Sequence, residues 1–186
     1  IRRPPRSTPS NSSAASDVYK RQFQESAMLS VFICYGGPQG EEIGNRLRNF
    51  LRREGFDAFL ASPRSPDIPA GLDFSKEIER KLRDAHVMVA ICDSGILSSQ
   101  YALHEIDMAK QLGVPIIPFR EENTKLPSAL QKSWAPVVFK LSSPGRKFRR
   151  LQIEIYRLVL FKLEFQGKLL GAKPSVVGIP PKLLRS

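Results

Sequence analysis

Cysteine and histidine are scarce in this sequence, two of each in 186 residues. Cys34 and Cys92 each sit inside an apolar, β-rich run, with no CxxC spacing and no histidine at a ligand spacing. That excludes a zinc site and a disulfide framework, predicts two buried reduced thiols, and leaves no metal expected. Long apolar runs are missing too. None nears the ~20 residues of a membrane span, so no membrane partner is expected. The amino-terminal segment has no apolar middle, so it does not read as a secretory signal, although its Arg- and Ser-rich, acid-poor make-up mimics an organelle transit peptide; the reduced thiols point to a cytoplasmic location. No Lys-Ser/Thr pair follows a glycine, which excludes a Walker-type phosphate loop.

Acidic residues are few, and the net charge is +11. The imbalance lies at the ends. Residues 1–27 carry five basic groups against two acids, and residues 167–186 carry four against none. Residues 28–166 keep 20 basic and 16 acidic groups, close to balance. With no base-reading or aromatic-stacking motif, no nucleic-acid partner is expected. Residues 1–27 are Arg-, Ser- and Pro-rich and too polar to offset their ordering entropy. They are expected to stand outside the fold as a disordered, non-native-looking segment, with Met28 as a natural start. Residues 167–186, with three prolines and three glycines, read as a flexible basic tail or linker. The domain is expected over 28–166.

Within it, strand and helix patterns alternate. Strands are predicted at Leu29–Tyr35, Phe56–Ala61, His86–Cys92, 114–119 (VPIIPF) and 135–141 (APVVFKL). Ile43, Leu47, Phe50 and Leu51 share one helical face, and Gly55 stops that helix. Phe74, Ile78, Leu82 and Ala85 mark a second helix behind an Asp73 N-cap. A third runs from a Ser98 or Ser99 cap to Gly113. A short helix is predicted at 126–133 and a long one from Phe148 to Phe165. This alternation implies an α/β fold: a flavodoxin-like three-layer sandwich with a five-stranded parallel sheet, order 2-1-3-4-5. Ligands of such sheets bind beyond the strands' carboxyl ends, where the order reverses. That crevice would be lined by Tyr35–Gly40, Asp93–Leu97 and the helix that follows.

The loop Gly36-Gly37-Pro38-Gln39-Gly40 after the first strand is open to several readings. A dinucleotide-binding oxidoreductase needs G-x-G-x-x-G and an acid after strand two, where this chain has Leu60-Ala61-Ser62. A phospho-receiver domain needs an acidic cluster at the end of strand one, where this chain has Cys34-Tyr35-Gly36, with a lone Asp93 ending strand three. The glycines either shape a turn or let backbone approach a phosphate.

Three segments in register carry a further resemblance. "SVFICYGG", "SPDIPAGLDFSKEIERKL" and "SSQYALHEIDMAKQLGVPIIPF" resemble the successive boxes of Toll/interleukin-1 receptor (TIR) domains of microbial type, over about Leu29–Phe165. The resemblance implies NAD⁺ cleavage at the nicotinamide–ribose bond, giving nicotinamide and ADP-ribose or a cyclic isomer, in immune or cell-death signalling. NAD⁺ would be a substrate and no cofactor is implied. Glu105 would be the catalytic residue, four positions after an aromatic, Tyr101, and both would project the same way.

The resemblance extends substrate contacts to Tyr35, Gly36 and Gly37 and to Asp67, Ile68 and Phe74. It implies partners in other TIR domains, met through the Asp67–Gly71 loop. Gly36 and Gly37 would admit the diphosphate, with the N-terminus of the next helix facing it. Glu105 is expected in a cleft, ionised at neutral pH. The family's usual Ser, Trp and Cys stand here as Cys34, Tyr101 and Ala102, and Gly-Gly-Pro-Gln replaces the charged residues common after the first box. The alternative function is a non-enzymatic scaffold acting through TIR–TIR contacts.

Overall fold

The computed structural model of the chain describes residues 28–62 and 73–170, the stretch 163–170 by its backbone. The apolar runs form five strands: β1 (Ser30–Tyr35), β2 (Asp57–Leu60), β3 (Val87–Cys92), β4 (Ile116–Glu121) and β5 (Val137–Phe139). Four helices accompany them among the described residues: α1 (Pro38–Arg53), α2 (Phe74–Arg83), α3 (Gln100–Gln111) and α4 (Phe148–Leu170). Neighbouring strands are parallel, in the expected order β2-β1-β3-β4-β5. Val31 to Tyr35 pair with Val87 to Ile91, so β1 and β3 form the centre and the chain switches direction between them.

Alternation along each strand divides the interior into two cores. Val31 and Ile33 of β1 and Val87, Val89 and Ile91 of β3 face a core completed by α1 and α4. Phe32 and Cys34, with Met88, Ala90 and Cys92, face the other, completed by α2 and α3. A strand covered on both faces needs apolar residues at every position, and all six residues of β3 are buried. Each large side chain sealed this way, such as Leu47, Leu82 or Ile91, contributes about 1.5–3 kcal/mol. Cys34 and Cys92 are both buried and free, as their setting predicted.

Element ends follow their capping chemistry. Asp73 accepts from the amides of Ser75 (3.0 Å) and Lys76 (3.4 Å) at the start of α2. Ser99 is the cap of α3, while the Ser98 hydroxyl turns back to the Gly95 carbonyl. Gly55 and Gly113 follow α1 and α3 at φ of +86° and +69°, a conformation that suits glycine.

Some boundaries differ from the sequence expectation. β4 runs on to Glu121 because Arg120 and Glu121 pair with Val138 and Phe139 of β5. The segment 126–133 forms only a 3-10 turn, Ser128–Leu130, anchored by buried Leu130. α4 continues to Leu170, through Gly167, which costs a helix only about 1 kcal/mol. No described helix is long and apolar enough to cross a membrane.

Candidate active site

The stripe of α3 that faces the sheet is Ala102, Glu105, Ile106 and Ala109, all buried. Three of these are apolar and pack in the second core; the fourth is a carboxylic acid. The spacing i, i+3, i+4, i+7 gives Glu105 no route to the solvent side of its helix. Its carboxyl lies close to Cys34 near the end of β1, and only 8 % of the residue is exposed. Burial pushes its pKa up to about 8, against a weaker opposite pull from the thiol hydrogen bond. The expectation of a carboxylate in an open cleft is therefore corrected: Glu105 is enclosed, and burial favours its neutral form.

Burial, together with the nearby Glu105 charge, raises the Cys34 thiol pKa well above its usual value. The thiol also donates to the Ala102 carbonyl (3.7 Å). Tyr35, next along β1, is partly buried. Burial raises its phenol pKa, a hydrogen bond with Ser62 lowers it, and the charges of Glu41 and Glu105 raise it. Tyr35 thus stands within reach of two carboxylates. Ser62, just past β2, donates to Glu41 in the first turn of α1 at 2.7 Å. Glu41 and Ser62 were missed from sequence, although both lie at strand carboxyl ends where the topology places ligands.

The glycine loop is packed against its neighbour at Gly36 and open at Gly37. A Cβ on Gly36 would lie 2.3 Å from the Ile96 Cα and 2.4 Å from its nitrogen. Gly36 therefore exists for backbone contact with the β3–α3 loop, and Ile96 fills the space between the two strand ends. Gly37 is the N-cap residue of α1, with no side-chain cap. The acceptor at that helix end is Asp93, from the end of β3, which receives the backbone N–H groups of Gly40 and Gly95 (3.2 Å to Gly95). Gly40 has no side chain to keep Asp93 and Tyr35 off this first turn. An acidic side chain of the chain itself thus faces the first turn of α1. Asp93→Ala should strand these amides and cost about 1–3 kcal/mol, read from urea denaturation.

Of the other expected site residues, Tyr101 is 82 % exposed and does not share Glu105's enclosure. Leu97, in the loop before α3, is 49 % exposed. Phe74, partly buried, packs against the second core. Asp67 and Ile68, and the Asp67–Gly71 loop as a whole, lie outside the described residues. No group of three or more potential metal ligands occurs among the described residues.

The fold and this constellation define an α/β domain with a carboxyl group at its switch point. The family model described as the TIR domain matches residues 31–152, and the chain belongs to that family. No curated protein matches it. Among solved structures it is similar to the TIR domain of the Toll-related receptor TRR-2 from the lower metazoan Hydra magnipapillata. That match has a TM-score of 0.54 and 18% identity, over 68% of this chain and 97% of that one. It is also similar to the TIR domains of the activated Roq1 resistosome (0.46; 18%; 72% and 82%). The CMP N-glycosidase BcmB of Clostridium botulinum is a further match (0.47; 17%; 66% and 98%).

Proposed function

We propose that this chain is an NAD⁺ glycohydrolase of cytoplasmic signalling, with Glu105 as its catalytic residue. The observation that carries this reading is the position of Glu105, a carboxyl group on the core stripe of α3 at the sheet's switch point. A buried carboxyl with no basic partner is a poor structural element, because burial penalises its charge. Nicotinamide bound to ribose carries positive charge and is a good leaving group. The C1′–N1 bond breaks with its electron pair staying on the ring nitrogen, leaving an oxocarbenium-like ribose. An ionised Glu105 stabilises that cation and receives the ribose hydroxyls. Water then adds at C1′ and gives its proton to solvent, forming ADP-ribose. Capture by a nucleophile of the same molecule gives a cyclic isomer instead.

Ionisation is the requirement on Glu105, and the substrate helps to meet it. A pyridinium cation beside the carboxyl favours the charged form. The acid limb of kcat/KM, which reports the free enzyme, should rise towards pH 8, while that of kcat lies lower. Nicotinamide release from NAD⁺ between pH 5 and 9 measures both. The primary test is the full chain with NAD⁺, with and without a crowding agent that favours assembly, followed by chromatography for nicotinamide. Release by the wild type and not by Glu105→Gln is the expected result. No release from either, even when assembled, overturns it.

The second reading, a scaffold acting through other TIR domains, is favoured by the exposure of Leu97 and Tyr101 around the start of α3. Such apolar groups suit a protein contact. Sedimentation of the full chain with Tyr101→Ser tests it: the scaffold reading expects self-association to weaken, and unchanged self-association counts against that contact.

A further inference from the structure

We propose that the cavity between the edge strand β5 and helix α4 binds an aromatic phosphate monoester, the nucleoside monophosphate class. Lys147, Arg150 and Arg157 would take the phosphate, with Trp134 beside the base. The site lies at the β5 edge of the sheet, two strands from β3, and does not rest on the glycohydrolase reading.

The cavity has a volume of about 420 Å³, within the range of small-molecule sites. Among the described strands β5 ends the sheet, so one of its sides is left to this space. The β5 side of the lining is apolar and includes Ala135, Pro136 and Val138. The α4 side is charged. Arg150, Glu154 and Arg157 follow at i, i+4 and i+7, on one face of the helix. Lys147, exposed in the 3-10 turn before α4, adds a third cation.

Glu154 orders these groups. Its side chain is only 12 % exposed, and its Oε1 lies 2.8 Å from Arg150 Nη2 and 3.3 Å from Arg157 Nη1. Its Oε2 accepts the indole N–H of Trp134 at 3.4 Å. Two guanidinium groups and an indole thus converge on one carboxyl. Both arginines keep about half of their side-chain surface, 57 % and 51 %. A guanidinium has five N–H donors, so each retains donors for a ligand. Three cations against Glu154 leave the lining a net charge of +2. That matches a phosphate monoester, which carries about −1.5 to −2 at neutral pH, and exceeds a single carboxylate. Guanidinium forks also suit phosphate oxygens. The Trp134 ring is held by its bond to Glu154 and by Phe161, 6.1 Å away between centroids. A flat aromatic body suits that ring and the apolar β5 wall.

Trp134 is the one tryptophan of the chain, so its emission reports on this cavity. The experiment titrates the full chain with adenosine monophosphate, inorganic phosphate and adenosine. Binding is read from Trp134 emission, excited where adenine does not absorb, and from calorimetry. The monophosphate should give a saturable signal by both, and phosphate and adenosine should each bind roughly tenfold more weakly or worse. Arg150→Gln and Arg157→Gln should each weaken the monophosphate about tenfold. Both side chains are exposed, and should one variant fail to fold the other carries the test. Arg53→Gln, which removes an exposed arginine of α1 outside the cavity, should bind as the wild type does. So should Glu105→Gln. No saturable signal by either method overturns the proposal. Adenosine or phosphate binding as tightly as the monophosphate overturns it too, since half of the site would then be idle. An equal loss in Arg53→Gln would mark attraction to net charge alone, and a loss in Glu105→Gln would place the ligand at the other site; either result refutes the β5–α4 cavity.

Discussion

Glu105→Gln should melt higher than the wild type at pH 8.5 while losing nicotinamide release by two orders of magnitude or more. The carboxyl has an ordinary pKa when the chain is unfolded and one of about 8 when folded. Between these values the folded state binds the extra proton, so wild-type stability falls as pH rises through that window and levels off above it. Below the unfolded pKa the penalty is absent. With the carboxyl this deeply buried, the loss at pH 8.5 is on the order of a few kcal/mol. Glutamine keeps the shape, never ionises, and escapes that loss. The expected gain is about 5–10 °C in melting temperature at pH 8.5, shrinking towards zero near pH 4. Calorimetry at the two pH values measures it. A variant that is less stable than wild type at both would show that Glu105 holds the fold together, and the catalytic assignment would fall with it.

Gly36→Ala and Gly37→Ala, adjacent in sequence, should behave oppositely. The added methyl of Gly36→Ala meets the Ile96 Cα and nitrogen at 2.3 and 2.4 Å and the Gly95 carbonyl carbon at 2.6 Å. All three are backbone atoms, so no side chain can turn aside. The two loops must part, and Ile96, wholly buried beneath them, must shift. We expect a loss of about 3 kcal/mol or more, at the upper end of overpacking effects. The methyl of Gly37→Ala comes no nearer than 3.6 Å to the Gly95 Cα, an ordinary contact, and Gly37 is in extended conformation. That variant should stay within about 0.5 kcal/mol of wild type. Urea denaturation of both measures the contrast, and equal losses would refute the crossing of the two loops.

The sheet order was legible because five apolar runs separated by helical periods leave a parallel doubly wound sheet as the simplest solution. Asp73 and Gly55 were legible because caps are local chemistry. The depth of Glu105 was not. A four-residue spacing fixes direction around a helix to within about 40° but says nothing of depth along it. Tyr101, in the first turn of α3, stands clear in solvent. Glu105, one turn on, lies between Ala102 and Ile106 against the sheet. The role of Asp93 was hidden for a different reason. It caps a helix that begins far from it in sequence, and long-range capping leaves no local pattern. The same holds for the contact between Ser62 and Glu41, which joins the ends of two separate strand–helix units.

The crossing of the two loops has a consequence for how such chains diverge. Gly36 answers to architecture, so a descendant that gave up chemistry and kept the fold would still be held to glycine there. On the proposed reading Glu105 answers to chemistry, and a descendant released from that chemistry is free to carry a neutral side chain of the same shape. Selection acting on folding alone would preserve the glycine and relax its hold on the acid.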